Sequence, residues 1–497
     1  MHTLSPAATT LRPCRVLVLG SALLSALACG GESPAGVSSG GNTGAGTGGV
    51  SSGASGLGGH AAGGISSGAA SAGAAGSAAS AAGDTSAGGI PSGGAAGLGA
   101  GGGAAGASAG STSGGVGSGG GASTAGTGGA AGSAGGAGNA GGAGSAGAVG
   151  NGALIHPGGF FKQPDLDRIR TGVAMGSAPW AGAWAAVRNT GAGTTQQASV
   201  PPVVTDPYLL QNHGHAAYVL AIKWVASGDM AYATAAKRVL DAWVNTVTRM
   251  ETDTLRTGIG AVQMGNAAEI IAHGFNGGAG WPPAQVAKAR TWFKNVLWPT
   301  IGSRNPQRSS NWGTAAMAGC MATAIFSDDR DRFNYTVDAY KNGFTDAPDG
   351  CSGVTQYICE ASGQATESGR DQGHPQGGVA HLVEVAFMAW NQGVDLVSYG
   401  GNRVLAGVEY HAKYNLGRDD VPYNANFADP CNVHPSTWLT ISPVGRGSFS
   451  PLYEMANKLF TLADVPRPFT AQVIASAGYA PEKTNSDHPG MGTLTFR

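Results

Sequence analysis

From Leu154 onward, apolar residues recur at spacings of three and four. QNHGHAAYVLAIKWVASGD and MAYATAAKRVLDAWVNTV both carry the pattern, and Gly228-Asp229 breaks it between them. This predicts a helical hairpin. The same rhythm returns in GIGAVQMGNAAEIIAHGF, PAQVAKARTWFKNVLWPTI, NWGTAAMAGCMATAIFSDD, RDRFNYTVDAYKNGF, GGVAHLVEVAFMAWNQG, NRVLAGVEYHAKYNLG and SPLYEMANKLFTLA. No alternation of period two persists over several segments, so a sheet-rich domain is disfavoured. About a dozen helices in antiparallel pairs predict an all-α toroid, an incomplete barrel of about six hairpins, whose loops at one end are free to form a cleft. Identity between the hairpins is too weak for a solenoid of like repeats.

The pattern stops short of the N-terminus. Residues 30–152 are Gly, Ala and Ser with scattered Thr, as in GGAAGSAGGAGNAGGAGSAG. Almost no large apolar side chain is present to offset a backbone ordering cost of about 1 to 2 kcal/mol per residue, so this stretch is expected to be a disordered tether. Ahead of it, Arg12 and Arg15 precede VLVLGSALLSALA, an apolar run short for a membrane span and ending in small residues at Cys29. A secretory signal over residues 1–29 follows, and LSALAC resembles the lipobox of bacterial lipoproteins, with Cys29 as the lipidated residue. The expected location is outside the cytoplasm, at an outer membrane or cell surface through a lipid anchor and otherwise secreted or periplasmic. The catalytic-looking domain is then 153–497.

Residues 1–152 contain only Arg12, Arg15, Glu32 and Asp84 of the 28 basic and 29 acidic side chains, leaving 26 against 27 in the rest. No net field favours nucleic acid or an anionic membrane, so an anionic ligand must be met by local placement. Cys320, Cys351, Cys359 and Cys431 remain in the domain, and in an exported chain an even number suggests disulfides. Cys351 and Cys359 are close enough in sequence to close a short loop; no zinc-site spacing is present.

Polar clusters sit at predicted helix starts and in loops. Asn212, His213 and His215 open one helix, and Asn311 and Trp312 another. ESGRDQGH, residues 367–374, places Arg370, Gln372 and His374 before a third. Tyr410, Tyr414, Arg418 and Tyr423 finish a long helix and its exit loop. Asn212 and Asn311 suit helix caps equally well. His213 and His215 at i, i+2 point apart on a helix, which disfavours a metal pair. His381 and His411 lie inside helical runs as expected structural histidines.

HPGGFFKQPDLDRIR, NHGHAAYVLAIKW, the NW helix, ESGRDQGHPQGG, AWNQGVDLVSYGGNRVLAGVEYHAKYNLG and the late RGSFSPLYE together resemble, in order over residues 154–465, the alginate lyase superfamily of helical-toroid polysaccharide lyases. The likeness is to its mannuronan- and glucuronan-degrading branch. It implies an (α/α) toroid and β-elimination on an anionic uronic-acid polysaccharide, without metal or organic cofactor. It assigns Asn311 to the substrate carboxylate, Arg370 to positive charge near it, His374 to base or charge neutraliser, and Tyr423 to acid or to both proton transfers, with Tyr410 and Tyr414 competing. Asn212, His213, His215, Trp312, Gln372, Tyr410, Tyr414 and Arg418 would contact substrate, with Trp312 a platform for a sugar ring. Similar sequences usually carry Asn at the position of Arg418. Glu367 and Asp371 would hold Arg370 and His374 in place.

The chemistry is consistent with these residue types. A uronate C5 proton becomes acidic only when the neighbouring carboxylate is neutralised, which Asn and Arg donors do without themselves carrying the proton; His and Tyr can move protons. A glycoside hydrolase on a similar toroid would need two carboxylates flanking the bond, for which Glu367 and Asp371 are candidates. A non-catalytic surface polysaccharide-binding protein is the third class.

Overall fold

A computed structural model describes residues 152–191, 199–302, 309–344, 351–359, 362–425, 437–484 and 487–497. The signal segment, Cys29, the tether up to residue 151 and Cys431 lie outside the described residues. Among those described, no helix is long and apolar enough to cross a membrane.

The domain is an (α/α) toroid. Its helices are α1 (Gln163–Ala174), α2 (Trp180–Arg188), α3 (Pro207–Ser227), α4 (Met230–Thr246), α5 (Thr254–Gly277), α6 (Pro283–Trp292), α7 (Trp298–Ile301), α8 (Asn311–Phe326), α9 (Arg330–Asn342), α10 (Val354–Tyr357), α11 (Gly373–Asn391), α12 (Tyr399–Asn415), α13 (Tyr453–Leu462), α14 (Pro468–Ala475) and α15 (Gly492–Phe496). A π-helical stretch, Phe293–Leu297, joins α6 to α7. The sheet content is a parallel pair of two-residue strands, β1 (Val203–Val204) with β2 (Arg249–Met250).

The inner wall is made of α1, α3, α5, α8, α11 and α13, each packed on the next; α2, α4, α6, α9, α12 and α14 cover it outside. The short α15 packs on both α13 and α1 and so bridges the last hairpin and the first. Inner and outer helices differ as their sequences require. α8 is buried without interruption from Gly313 to Phe326, whereas α9 buries only Phe333, Thr336, Val337, Ala339 and Tyr340.

Small residues let the inner helices approach closely. A side chain at Gly258 would meet the Ala315 carbonyl oxygen at 2.5 Å, and one at Gly319 would meet the Gly258 oxygen at 2.8 Å. Gly265 likewise faces Ala322, so α5 and α8 run parallel. Gly214 against Gly260 and Gly274 against Trp224 give α3 the same direction as α5. The inner helices α3, α5 and α8 therefore begin at one end of the ring.

Local chemistry sets those beginnings. Asp206, Asp229, Asp253 and Asp329 accept backbone N–H bonds at the starts of α3, α4, α5 and α9, and Gly228 ends α3 with φ +75°. The start of α3 is thus at Pro207, so Asn212, His213 and His215 lie in its second and third turns and none of them caps it. Asn311 is the first residue of α8; Ser310 occupies the cap position. The helices α1, α2, α10, α14 and α15, all four to twelve residues long, do not stand out in the periodicity. The expected Cys351–Cys359 bridge does not form: Cys359 and the buried Cys320 are in no disulfide, while Cys351 is in one whose partner lies outside the described residues.

Candidate active site

The loop entering α11 forms the centre of the site. Glu367 is buried at 3% exposure, and its carboxylate reaches in three directions. Oε2 accepts the Asn311 backbone N–H at 3.2 Å and lies 3.5 Å from the Tyr357 hydroxyl, while Oε1 accepts from Arg370 Nη1 at 3.2 Å. Glu367 therefore satisfies the start of α8 from a neighbouring loop and pins the guanidinium to it. Arg370 Nε in turn lies 3.7 Å from Asp371 Oδ2.

Asp371 performs the equivalent task for α11. Its Oδ1 accepts the backbone N–H groups of Gly373 and His374, both at 2.8 Å, and its Oδ2 accepts from His374 Nδ1 at 2.6 Å. Burial alone would raise the Asp371 pKa, but the side-chain and backbone bonds from His374 outweigh it and hold the carboxyl below its ordinary value. With Nδ1 committed to Asp371, the other ring nitrogen of the half-exposed His374 is left as the proton acceptor. Asn311, Glu367, Arg370, Asp371 and His374 thus form one continuous chain of contacts across the starts of α8 and α11.

Tyr423 joins this chain through a glycine. A Cβ on Gly369 would overlap the Tyr423 hydroxyl and lie 2.5 Å from Trp438 Cβ, so only glycine lets the phenol come so close to the loop. Tyr423 donates to the Trp438 carbonyl at 2.9 Å, and partial burial raises its pKa to about 12. Of the competing phenols, Tyr410 is 4% exposed and donates to the Pro422 carbonyl at 2.9 Å. Tyr414 is 5% exposed, with the Arg446 guanidinium 4.1 Å above its ring. Both phenols are therefore largely buried, and the Tyr410 hydroxyl is taken by a backbone carbonyl.

Gln372 is likewise turned inward. It is fully buried; its Nε2 donates to the Ser442 carbonyl at 2.9 Å and its Oε1 accepts from Asn415 at 3.0 Å. Its amide ties the loop to α12 and to the segment around Ser442. The α3 residues also divide. Asn212 is exposed, His213 accepts from Trp243 Nε1 at 3.0 Å, and His215 pairs with Gln263 at 2.8 Å. Burial lowers the pKa of both histidines. His213 and His215 do not share a partner, in keeping with the i, i+2 geometry. Trp312 is half-buried beside Asn311, and Arg418 is exposed just past the end of α12.

Sequence reasoning missed Tyr357, Trp438 and Arg446. Arg446 stood inside RGSFSPLYE, and here it also reaches the Tyr414 carbonyl at 3.0 Å and Asp419 at 2.8 Å. Trp438 sits in a stretch without periodicity and gave no signal. His411 is buried beneath the loop, as expected of a structural histidine, with Nε2 3.5 Å from Ser368 Oγ but Nδ1 without a partner.

The helical hairpins thus bring an amide, a guanidinium, an imidazole and a phenol together near the starts of α8 and α11. Residues 203–421 match the family model described as alginate lyase, which supports a polysaccharide lyase. Among solved structures, the chain is similar to alginate lyase A1-III from Sphingomonas species A1, at 16% identity over 69% of this chain and 97% of that one, TM-score 0.45. An alginate lyase from Bacteroides ovatus matches at 12% identity over 69% and 100%, TM-score 0.45. A variant of A1-III complexed with a tetrasaccharide matches at 14% over 70% and 97%, TM-score 0.46. A search of curated proteins found no match.

Proposed function

We propose that this lyase cleaves a uronic-acid polysaccharide, alginate rich in mannuronate or glucuronan, by β-elimination at the Asn311–Arg370–His374–Tyr423 cluster. The observation that carries the reading is the unbroken chain Asn311–Glu367–Arg370–Asp371–His374 with the Tyr423 phenol packed against Gly369. The side-chain amide of Asn311 and the guanidinium of Arg370 neutralise the uronate carboxylate, which acidifies C5. The starts of α8 and α11 add positive potential where the polyanion lies.

His374, with Nδ1–H held by Asp371, takes the C5 proton on its free ring nitrogen. The electron pair forms the C4=C5 double bond as the C4–O4 bond breaks. Tyr423, with its pKa pushed up to about 12, carries its proton at neutral pH and delivers it to O4 after leaving the Trp438 carbonyl. Substrate subsites are assigned to Trp312, Asn212 and Arg418, which lie near the starts of α8 and α3 and the end of α12.

A hydrolase reading is weaker because both carboxylates are committed: Glu367 is buried against Arg370 and Asp371 is bonded to His374. The deciding experiment incubates the protein with polymannuronate, polyguluronate and glucuronan and follows ultraviolet absorbance of the conjugated product. Chain shortening without that absorbance would identify hydrolysis, and retention of polymer without shortening would identify a binding protein.

A further inference from the structure

We propose that Glu384, His381 and His488 form a site for a divalent transition cation of the zinc class, which fastens the C-terminal segment to α11. His381 and Glu384 are one turn apart on α11, and His488 comes from the segment that leads into α15. His381 Nδ1 lies 2.9 Å from one oxygen of Glu384 and His488 Nδ1 lies 3.1 Å from the other. The two imidazole centroids are 4.6 Å apart, and the three donor atoms all fall within 4.8 Å of one another. Bonds of about 2.0 to 2.2 Å to a tetrahedral cation place donor atoms about 3.3 Å apart, so the cluster needs only small movements to close on an ion. Two imidazoles and a carboxylate are a donor set suited to such a cation.

The surroundings support this. All three residues are buried, so the charge of the carboxylate has to be met by neighbouring groups or a bound ion. The Tyr218 hydroxyl, fully buried and without a hydrogen-bond partner, is close enough for the Glu384 charge to add to the burial that raises its pKa, and it is a candidate further donor. The other His–Glu–His group, His156, Glu269 and His273, already has a fixed cation: Arg290 Nη2 lies 3.3 Å from His273 Nε2.

The location makes the role structural. Asp487, next to His488, pairs with Gln211 and with Arg256 at 3.5 Å, while Phe496 stacks on Phe161 and against Phe387. A metal at Glu384 would lock this tail between the first and last hairpins of the ring.

The test uses purified protein without a polyhistidine tag, loaded with Zn2+ and passed through gel filtration. Elemental analysis should find about one retained zinc per chain, and EDTA should lower the melting temperature by about 5 °C, reversed by added Zn2+. His488→Gln, which leaves α11 intact, should retain less than about a tenth of that zinc and should melt at the same temperature with and without EDTA. Glu384→Gln is the second variant and should lose zinc likewise. Wild-type protein that retains no zinc and whose melting ignores both reagents would overturn the proposal in favour of a proton-shared triad. Undiminished zinc in folded His488→Gln protein would overturn it in favour of another site.

Discussion

Gly369→Ala tests the contact on which the proposed acid depends. The added methyl would stand 2.5 Å from Trp438 Cβ and overlap the Tyr423 hydroxyl. An ordinary carbon–carbon contact is about 3.5 Å, so the phenol and the Trp438 segment must retreat by about 1 Å. A displacement of that size at a reacting group costs about 100-fold in rate, equivalent to about 2.7 kcal/mol of transition-state stabilisation. The cost in stability is smaller. If the Tyr423–Trp438 hydrogen bond is lost, about 1 kcal/mol goes with it, a melting shift of no more than about 2 to 4 °C. Gly373→Ala, four residues further on, is the control, because its methyl would meet only Asp371 Oδ1, at 3.5 Å. Initial rates from product absorbance on the preferred polymer, with circular dichroism melts of both variants, give the comparison. If Gly369→Ala turns over within about threefold of wild type, the phenol at Gly369 is not the proton donor.

Tyr423→Phe should lower kcat by about 10² to 10⁴ while leaving the helical circular dichroism unchanged; near-normal turnover would redirect the search to other donors. Asp371→Ala, which frees His374 Nδ1, should cost about 10- to 100-fold in kcat with little change in KM, measured on the same polymer. Gln372→Ala should behave in the opposite way, losing about 1 to 3 kcal/mol in urea denaturation with KM nearly unchanged, since its amide is spent inside the protein. Burial pushes the His411 imidazole down to about 3, so the unfolded chain gains a proton below about pH 6.5 that the folded protein refuses until about pH 3. Stability from this residue is complete above the unfolded value and is lost on acidification at up to about 1.4 kcal/mol per pH unit. His411→Phe should flatten the acid limb of melting temperature against pH, and an unchanged limb would refute that account.

Local rules made the hairpins legible. Residue spacing follows the helical repeat wherever one face is buried, and the Gly228-Asp229 break reappears as a left-handed cap followed by a side-chain cap. α10 and α15 escaped because four or five residues leave no period to read, and α15 packs on both α1 and α13. The polar clusters marked candidate positions but not which of them are buried. Gln372 and His374, two positions apart, have opposite environments: one is sealed by Asn415 and Ser442, the other is half-exposed beside Asp371. Three tyrosines competed on sequence, and burial separated Tyr410 and Tyr414 from Tyr423.

What the sequence determined by itself was an all-helical ring of paired helices, an ESGRDQGH loop rich in chemistry, and a family resemblance carried by ordered motifs. What the tertiary structure decided was side-chain direction and long-range pairing: Glu367 with the start of α8, Gly369 with Tyr423, and His488 with Glu384 across 104 residues. The reason is that helix formation depends on neighbours three and four positions away, whereas the environment of a loop side chain is set by whichever distant segment packs over it.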